Sequence, residues 1–198
     1  MFKRWALAAL ALLPLVSAEG QTPYSLDREA SALEFHAISF LHSFDAKVVG
    51  FNGRADVGEQ LTHAQGTLLV DVASIDTGLK KRNEEMFKLL EQDKHPKIEF
   101  KLKSAKLLPN MTADGRVIDE LKPGESKCAL SGELKVRGRV APVEGRGLCK
   151  QVSEAHWSVE GEAPVDINAY GIESPNIAFI KLEPIVTVRY KLEFKRAK

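Results

Sequence analysis

From Gln21 onward the chain repeatedly alternates apolar and polar residues over short stretches broken by Gly, Pro, Asn and Asp. Ser31 to Ala37 puts Leu33 and Phe35 on one face, Gln65 to Ala73 aligns Leu68, Val70 and Val72, and Lys97 to Lys103 aligns Ile98, Phe100 and Leu102. Ser126 to Arg137 sets Leu130, Leu134 and Val136 against Ser131, Glu133, Lys135 and Arg137, and Ala155 to Val165 groups Trp157, Val159, Ala163 and Val165. Pro184 to Phe194 alternates Val186, Val188, Tyr190, Leu192 and Phe194 with Thr187, Arg189, Lys191 and Glu193. A period of two with one apolar face predicts antiparallel strands wetted on one side. With no second helical layer to cover them, such strands form a sandwich or close into a barrel, and periodicity alone does not choose.

One stretch departs from this rhythm. Leu79 to Glu91 is rich in helix formers and lacks Gly and Pro; Leu79, Met86, Leu89 and Leu90 share a broad face, with Phe87 at its edge. It predicts one short amphipathic helix, starting near Asp76 or Thr77 and stopping before His95-Pro96. The oxygens of Ser74, Asp76 and Thr77 are placed to cap its first turn. Pro109 to Gly124, with Asn110, Asp114, Gly115 and Pro123, reads as a long hairpin loop. No internal repeat is visible, and a single domain is expected.

The first residues change the picture. Lys3 and Arg4 precede an apolar run from Trp5 to Val16, and Val16-Ser17-Ala18 has the small-x-small form of a cleavage site. Residues 1–18 therefore read as a signal peptide, leaving 19–198 as the mature domain, periplasmic or secreted. The run is shorter than the ~20 residues a membrane span needs. The chain has 28 Lys plus Arg and 27 Asp plus Glu, and loss of Lys3 and Arg4 leaves it nearly neutral. Without a basic block, nucleic acid is not an expected partner.

Two cysteines in an exported chain are expected to pair. A two-residue turn at Gly138-Arg139, of type II′, would set Arg137 opposite Val140. Counting outward, Cys128 falls directly opposite Cys149, on the same inward face as Val136, Leu134 and Leu130. The register thus predicts a Cys128–Cys149 disulfide inside the sheet's apolar face.

Val70-Asp71-Val72-Ala73-Ser74-Ile75-Asp76-Thr77-Gly78, followed by Arg82-Asn83 and by Lys94-His95-Pro96-Lys97-Ile98-Glu99-Phe100, resembles the signature of the YceI-like family. Tyr24-Ser25-Leu26-Asp27, Gly132 to Gly138 and Asn168-Ala169-Tyr170-Gly171-Ile172 extend the likeness over nearly the whole mature chain. Ala30, Asn83 and Glu84-Glu85 depart from the family's usual residues. The resemblance implies an exported polyisoprenoid-binding protein with a lipocalin-like, eight-stranded antiparallel β-barrel. Such a barrel is just wide enough for one small ligand or a lipid tail. The apolar faces then nominate Phe35, Val70, Phe100, Leu134, Val136 and Trp157 as ligand-binding, with the helix as a lid over one end.

Other chemistry is thin. His36, His42, His63, His95 and His156 show neither HxH nor HxxxH spacing, and no Cys-x-x-Cys-His exists. Neither a metal nor a haem or other cofactor is expected. Gly-x-Ser-x-Gly and Ser-x-x-Lys are absent, and Ser43 beside His42 is not a dyad, because neighbours on a strand point to opposite faces. Asn110-Met111-Thr112 forms a sequon, which marks an exposed loop. Arg54, Lys80, Lys81 and Arg82 are the basic residues placed to meet a polar head group. The expected function is a carrier for an amphiphilic isoprenoid-like lipid and not an enzyme; a quinone or fatty acyl binder, an enzyme acting on such a lipid, and a barrel filled by side chains are the rivals. A homodimer is compatible with the sequence.

Overall fold

The computed structural model describes residues 21–197, except 40–42, 59–60, 113–115, 174–175 and 178–179. The predicted signal peptide, His42, Asp114 and Gly115 lie outside the described residues.

Eleven strands form one antiparallel sheet: β1 (Thr22–Leu26), β2 (Ala32–Ile38), β3 (Ser43–Val48), β4 (Phe51–Val57), β5 (Gln65–Asp71), β6 (Ile75–Asp76), β7 (Lys97–Leu107), β8 (Glu125–Val136), β9 (Arg139–Ser153), β10 (His156–Asp166) and β13 (Ile185–Arg196). The short pair β11 (Asn176–Ile177) and β12 (Ile180–Lys181) stands apart from it. Six of the eleven are halves of broken strands. β1 and β2 run in line along the same edge of β13, with Leu26 opposite Phe194 and Leu33 opposite Tyr190. β3 and β4 continue one another in the same way, as do β5 and β6. The sheet is therefore a barrel of eight staves, closed where β1 and β2 meet β13. Sandwich or barrel, the choice left open by periodicity, is settled by that seam.

The breaks are chemically patched. Between β1 and β2 the ladder is carried by Ser31, whose Oγ accepts from Glu193 N–H at 2.9 Å and donates to Asp27 C=O at 2.7 Å. Between β3 and β4, Ser74 Oγ donates to Gly50 C=O at 3.1 Å. Buried backbone groups are thus paired even where the strand bends.

Alternation holds along the staves except at two irregularities of register, between Leu102 and Ser104 on β7 and beside His156 and Trp157 where β10 meets β9. The inward face carries the main core, including Leu33, Val48, Phe51, Val70, Ile98, Val136 and Leu192. The strand directions put every helical piece but one at a single end, the helix end: η2 (Val72–Ser74), α1 (Lys80–Leu89) and η3 (Ile167–Tyr170). The other end is stopped by η1 (Leu61–His63), near Tyr24, Val57 and Trp157.

Two expectations are corrected in detail. The helix begins at Lys80, after Leu79, and no side chain caps it. Leu79 is exposed and does not share the apolar face. The β8–β9 turn is Arg137-Gly138, with φ of 51° and 74°, so Val136 faces Arg139. Positive φ at both positions is the I′ form rather than II′. It moves every partner across the hairpin by two, so Cys128 lies opposite Gly147 and Cys149 opposite Ser126. A shift of two preserves faces. The Cys128–Cys149 disulfide therefore still forms inside, as a diagonal bridge with Cα atoms 6.0 Å apart.

Candidate ligand-binding site

The helix-end half of the barrel encloses a cavity of about 250 Å³. Its wall is built by inward residues of the staves and its roof by α1 and η3. Met86, Leu89 and Leu90 point into it from the helix, and Ile167 and Tyr170 from η3. Of the six residues nominated by sequence, Phe35, Val70, Phe100, Leu134 and Val136 line this cavity. Trp157 does not. It lines a second, smaller cavity of about 90 Å³ toward the opposite end, together with Leu61, Ala64 and Phe194. Alternation had placed all six on the same face, and that is correct; height along the barrel separates them.

Polar groups on the main cavity are few. Tyr190 Oη is buried with no hydrogen-bond partner among the described residues. Its ring reaches across to Gly145, where an added Cβ would lie 2.7 Å from the hydroxyl oxygen. Burial, with the charge of Glu162 secondary, pushes the Tyr190 phenol up to about 12. Tyr170, also on the cavity wall, is raised by burial and then by Asp166.

The rim at the helix end is where charge appears. The Arg82 guanidinium stacks over the Phe44 ring, 4.0 Å from its centroid, and Phe44 lines the cavity. Arg82 donates to Thr77 C=O, while its Nε is buried with no partner among the described residues. Lys80 and Lys81 are exposed, and Arg54 borders the smaller cavity at the other end. The four basic candidates are thus not one cluster.

The Ser74-to-Thr77 motif acts differently from a cap. Asn83, one turn into α1, reaches back to it: Thr77 N–H donates to Asn83 Oδ1 at 2.8 Å, and Asn83 Nδ2 donates to Asp76 Oδ1 at 2.8 Å. Asp76 also accepts from Gly78 N–H at 2.9 Å. These bonds, that from Asn83 first, hold the Asp76 carboxyl below its usual range. The helix is fastened by its own side chain to the end of the preceding strand.

Its other end is fastened by a residue that sequence reading passed over. Arg137, in the β8–β9 turn, pairs with Glu91 after α1 and donates from Nη1 to Gly171 C=O after η3 at 2.7 Å. One guanidinium thus ties both halves of the roof to a barrel turn. The Arg137 hydrogen bond is the main cause holding the Glu91 carboxyl below its usual range. The signal available was a basic residue beside the only Gly of a tight turn.

The described histidines form no cluster. His36 Nδ1 meets Asp45 Oδ1 at 2.7 Å and His156 Nε2 meets Glu193 Oε2 at 2.8 Å. Among the described residues no three His, Cys, Asp or Glu side chains gather as a metal site, and no helix is long and apolar enough to cross a membrane.

The pattern that defines the YceI-like domain matches residues 24–194. The chain belongs to the YceI-like family. Among solved structures, it is similar to a polyisoprenoid binding domain from Saccharophagus degradans implicated in plant cell wall breakdown, at 19% identity and a TM-score of 0.67, covering 88% of this chain and 98% of that one. Burkholderia cenocepacia BcnA matches with 16% identity and a TM-score of 0.67 over 85% of this chain and 98% of that one. A Campylobacter jejuni YCEI protein matches with 10% identity and a TM-score of 0.53 over 77% and 84%. At these identities the likeness is one of fold. A search of curated proteins finds no match.

Proposed function

We propose that this YceI-like chain is an exported carrier that holds an amphiphilic, isoprenoid-like lipid in its barrel and releases it unchanged. The observation that carries the reading is the cavity itself: an apolar chamber under a helical roof, with a guanidinium at the rim. Apolar burial favours a hydrocarbon chain at about 25 cal/mol per Å² removed from water. The tail points into the barrel, and the head group lies at the helix end near Arg82. The Saccharophagus degradans relative is described as polyisoprenoid binding, which supports the same class here. Residues 1–18 act as the leader and 19–198 as the mature domain; an internal disulfide fits an oxidising compartment such as the periplasm.

Organic extraction of protein purified from the periplasm, followed by mass spectrometry, is the test. A prenyl-chain lipid recovered in near one-to-one amount supports the proposal. Recovery of only fatty acids, or of no lipid together with failure to bind prenyl alcohols, would count against it. Incubation with the recovered lipid and analysis for products separates carrier from enzyme.

A quinone with a prenyl tail is the second reading. Tyr190 favours it, because its unpaired buried hydroxyl is a donor for a ligand carbonyl. An extracted lipid with a quinone chromophore would select this reading.

A further inference from the structure

The two cavities meet at a waist. Leu68, Phe100, Leu130 and Leu192, from four different staves, line both chambers. Leu68 and Phe100 are register partners on adjacent strands. Phe100 is the only aromatic ring of the four. Its ring lies over the backbone of Gly132 on β8: a Cβ there would stand 2.5 Å from Cε2 and 2.7 Å from Cζ. The Lys101 carbonyl oxygen stands closer still to that position, so backbone and ring together fill the space a side chain would take, and the gap at 132 is the berth in which the phenyl rests.

Size gives the waist a consequence. The larger chamber is about 250 Å³ and the smaller about 90 Å³. Only when joined do they reach the ~300 Å³ at which ordinary small-molecule pockets begin. Length points the same way. Val165 borders the large chamber and Trp157 the small one, eight residues apart on β10. At the usual strand rise and barrel tilt that is ~20 Å along the axis. A short chain fits above the waist, whereas a longer one has to pass it.

We propose that Phe100 is the chain-length determinant of the barrel: a ring that closes the lower chamber to short prenyl chains and is swung from its Gly132 berth by longer ones. This rests on the reading of the barrel as a binder of apolar chains. The movement proposed is a change of rotamer, since an aromatic side chain changes wells by rotation about χ1. Displacing the ring from a packed position carries a penalty of the kind seen in overpacked cores. That penalty falls on long chains alone, so the structure sets a step in affinity between lengths.

Trp157 supplies the readout. The sequence holds two tryptophans, Trp5 in the predicted leader and Trp157, so mature protein carries a single one, in the lower chamber. The experiment uses geraniol, farnesol and geranylgeraniol, each also prepared with a bromine at the tail end, against mature wild-type protein, Phe100→Ala and the milder Phe100→Leu. In wild type, tail-brominated geraniol should bind without quenching Trp157, and tail-brominated geranylgeraniol should quench it. In Phe100→Ala the affinity ratio of geranylgeraniol to geraniol should rise about tenfold. Phe100→Leu, which keeps an apolar core residue, should lie between. If all three alcohols bind with the same ratio in wild type and in every folded variant, or if short brominated tails already quench Trp157 in wild type, Phe100 is no barrier and the inference is overturned. If none of the alcohols binds wild type, the binding reading itself fails, and the inference with it.

Discussion

At the helix end of the barrel, closure rests on polar contacts that reach backbone and charge: Asn83 to Thr77 and Asp76, Arg82 to Thr77, and Arg137 to Glu91 and Gly171. At the opposite end it rests chiefly on apolar packing of η1 against Tyr24, Val57 and Phe194, joined by Tyr24 Oη donating to Glu154 C=O and Gln21 Nε2 to His63 C=O, and on the Cys128–Cys149 bridge, whose Cys149 lines the lower chamber. The first kind of closure can be undone one bond at a time while water replaces each partner. The second comes apart only with the core. The end carrying the larger cavity is also the end whose fastenings are reversible, which is the arrangement an exchanging carrier requires. Low local stability belongs where ligands pass.

The sharpest test of this contrast removes the bridge. Replacing both Cys128 and Cys149 by Ala should lower unfolding free energy by about 3 kcal/mol, the loop-entropy value for a closure of this length. Denaturant titration measures it. Release of a bound prenyl alcohol should change little, because the bridge is remote from the roof. Fast release from the double variant would break the comparison.

Alkali probes the wall between the two ends. Folded Tyr190 keeps its proton to about 12, whereas an unfolded tyrosine ionises near 10. Below pH 10 both states are protonated and the group has no effect. Between pH 10 and 12 the unfolded state gains by ionising, so the barrel should lose about 2 to 3 kcal/mol. Tyr190→Phe should remove that share of the alkaline loss, as followed by thermal melts across the range. At neutral pH the same variant should melt slightly higher when empty, having lost an unpaired buried hydroxyl.

Arg137→Ala attacks the reversible end. Stability should fall only modestly, as for a partly exposed pair, yet ligand release should become several times faster in stopped-flow exchange. Glu91 gives the matching pH dependence. Its carboxyl is depressed when folded, so the latch contributes above the ordinary carboxylate value and is lost as pH falls through the lowered one. Release from wild type should therefore quicken in acid, and release from Arg137→Ala should not.

The smallest effect is expected at Arg82. Arg82→Gln removes the stack on Phe44, about 0.5 kcal/mol at such a site, together with the hydrogen bond to Thr77 C=O. Melting should fall only slightly, but preference for an anionic over a neutral prenyl head group should narrow. An unchanged preference would move the head group away from this rim.

How far the sequence could be read depended on whether the deciding contact was local. Long uninterrupted staves such as β8, β10 and β13 declare their inner face by alternation, and the disulfide followed from that face. β1, β3 and β4 are five to seven residues each and join in line through bends at Asp27–Ser31 and Gly50, so none shows a full pattern alone. The turn was misplaced because Arg137 adopts positive φ, a conformation disfavoured for Arg. Its partners Glu91 and Gly171 are distant in sequence. Five of the six nominated residues share the cavity, but Trp157 does not, since a period of two reports side and not height. Arg82 was visible as a charge near a helix start, but its contact with Phe44 was not.

The seam of the barrel has a bearing on how the molecule comes into being. β13 pairs with β10 on one edge and with both β1 and β2 on the other, and it follows every other stave of the barrel in chain order. Hairpins such as β8–β9 bring near neighbours together and can form early, while the joining of Leu26 to Phe194 spans nearly all of the described residues. Contacts of such range carry a large closure entropy and form late. A nascent chain still lacking β13 has no keystone for the ring. On the proposed reading of an exported chain, threaded through a membrane before it folds, that ordering keeps the polypeptide open during passage and lets it lock only once β13 has emerged.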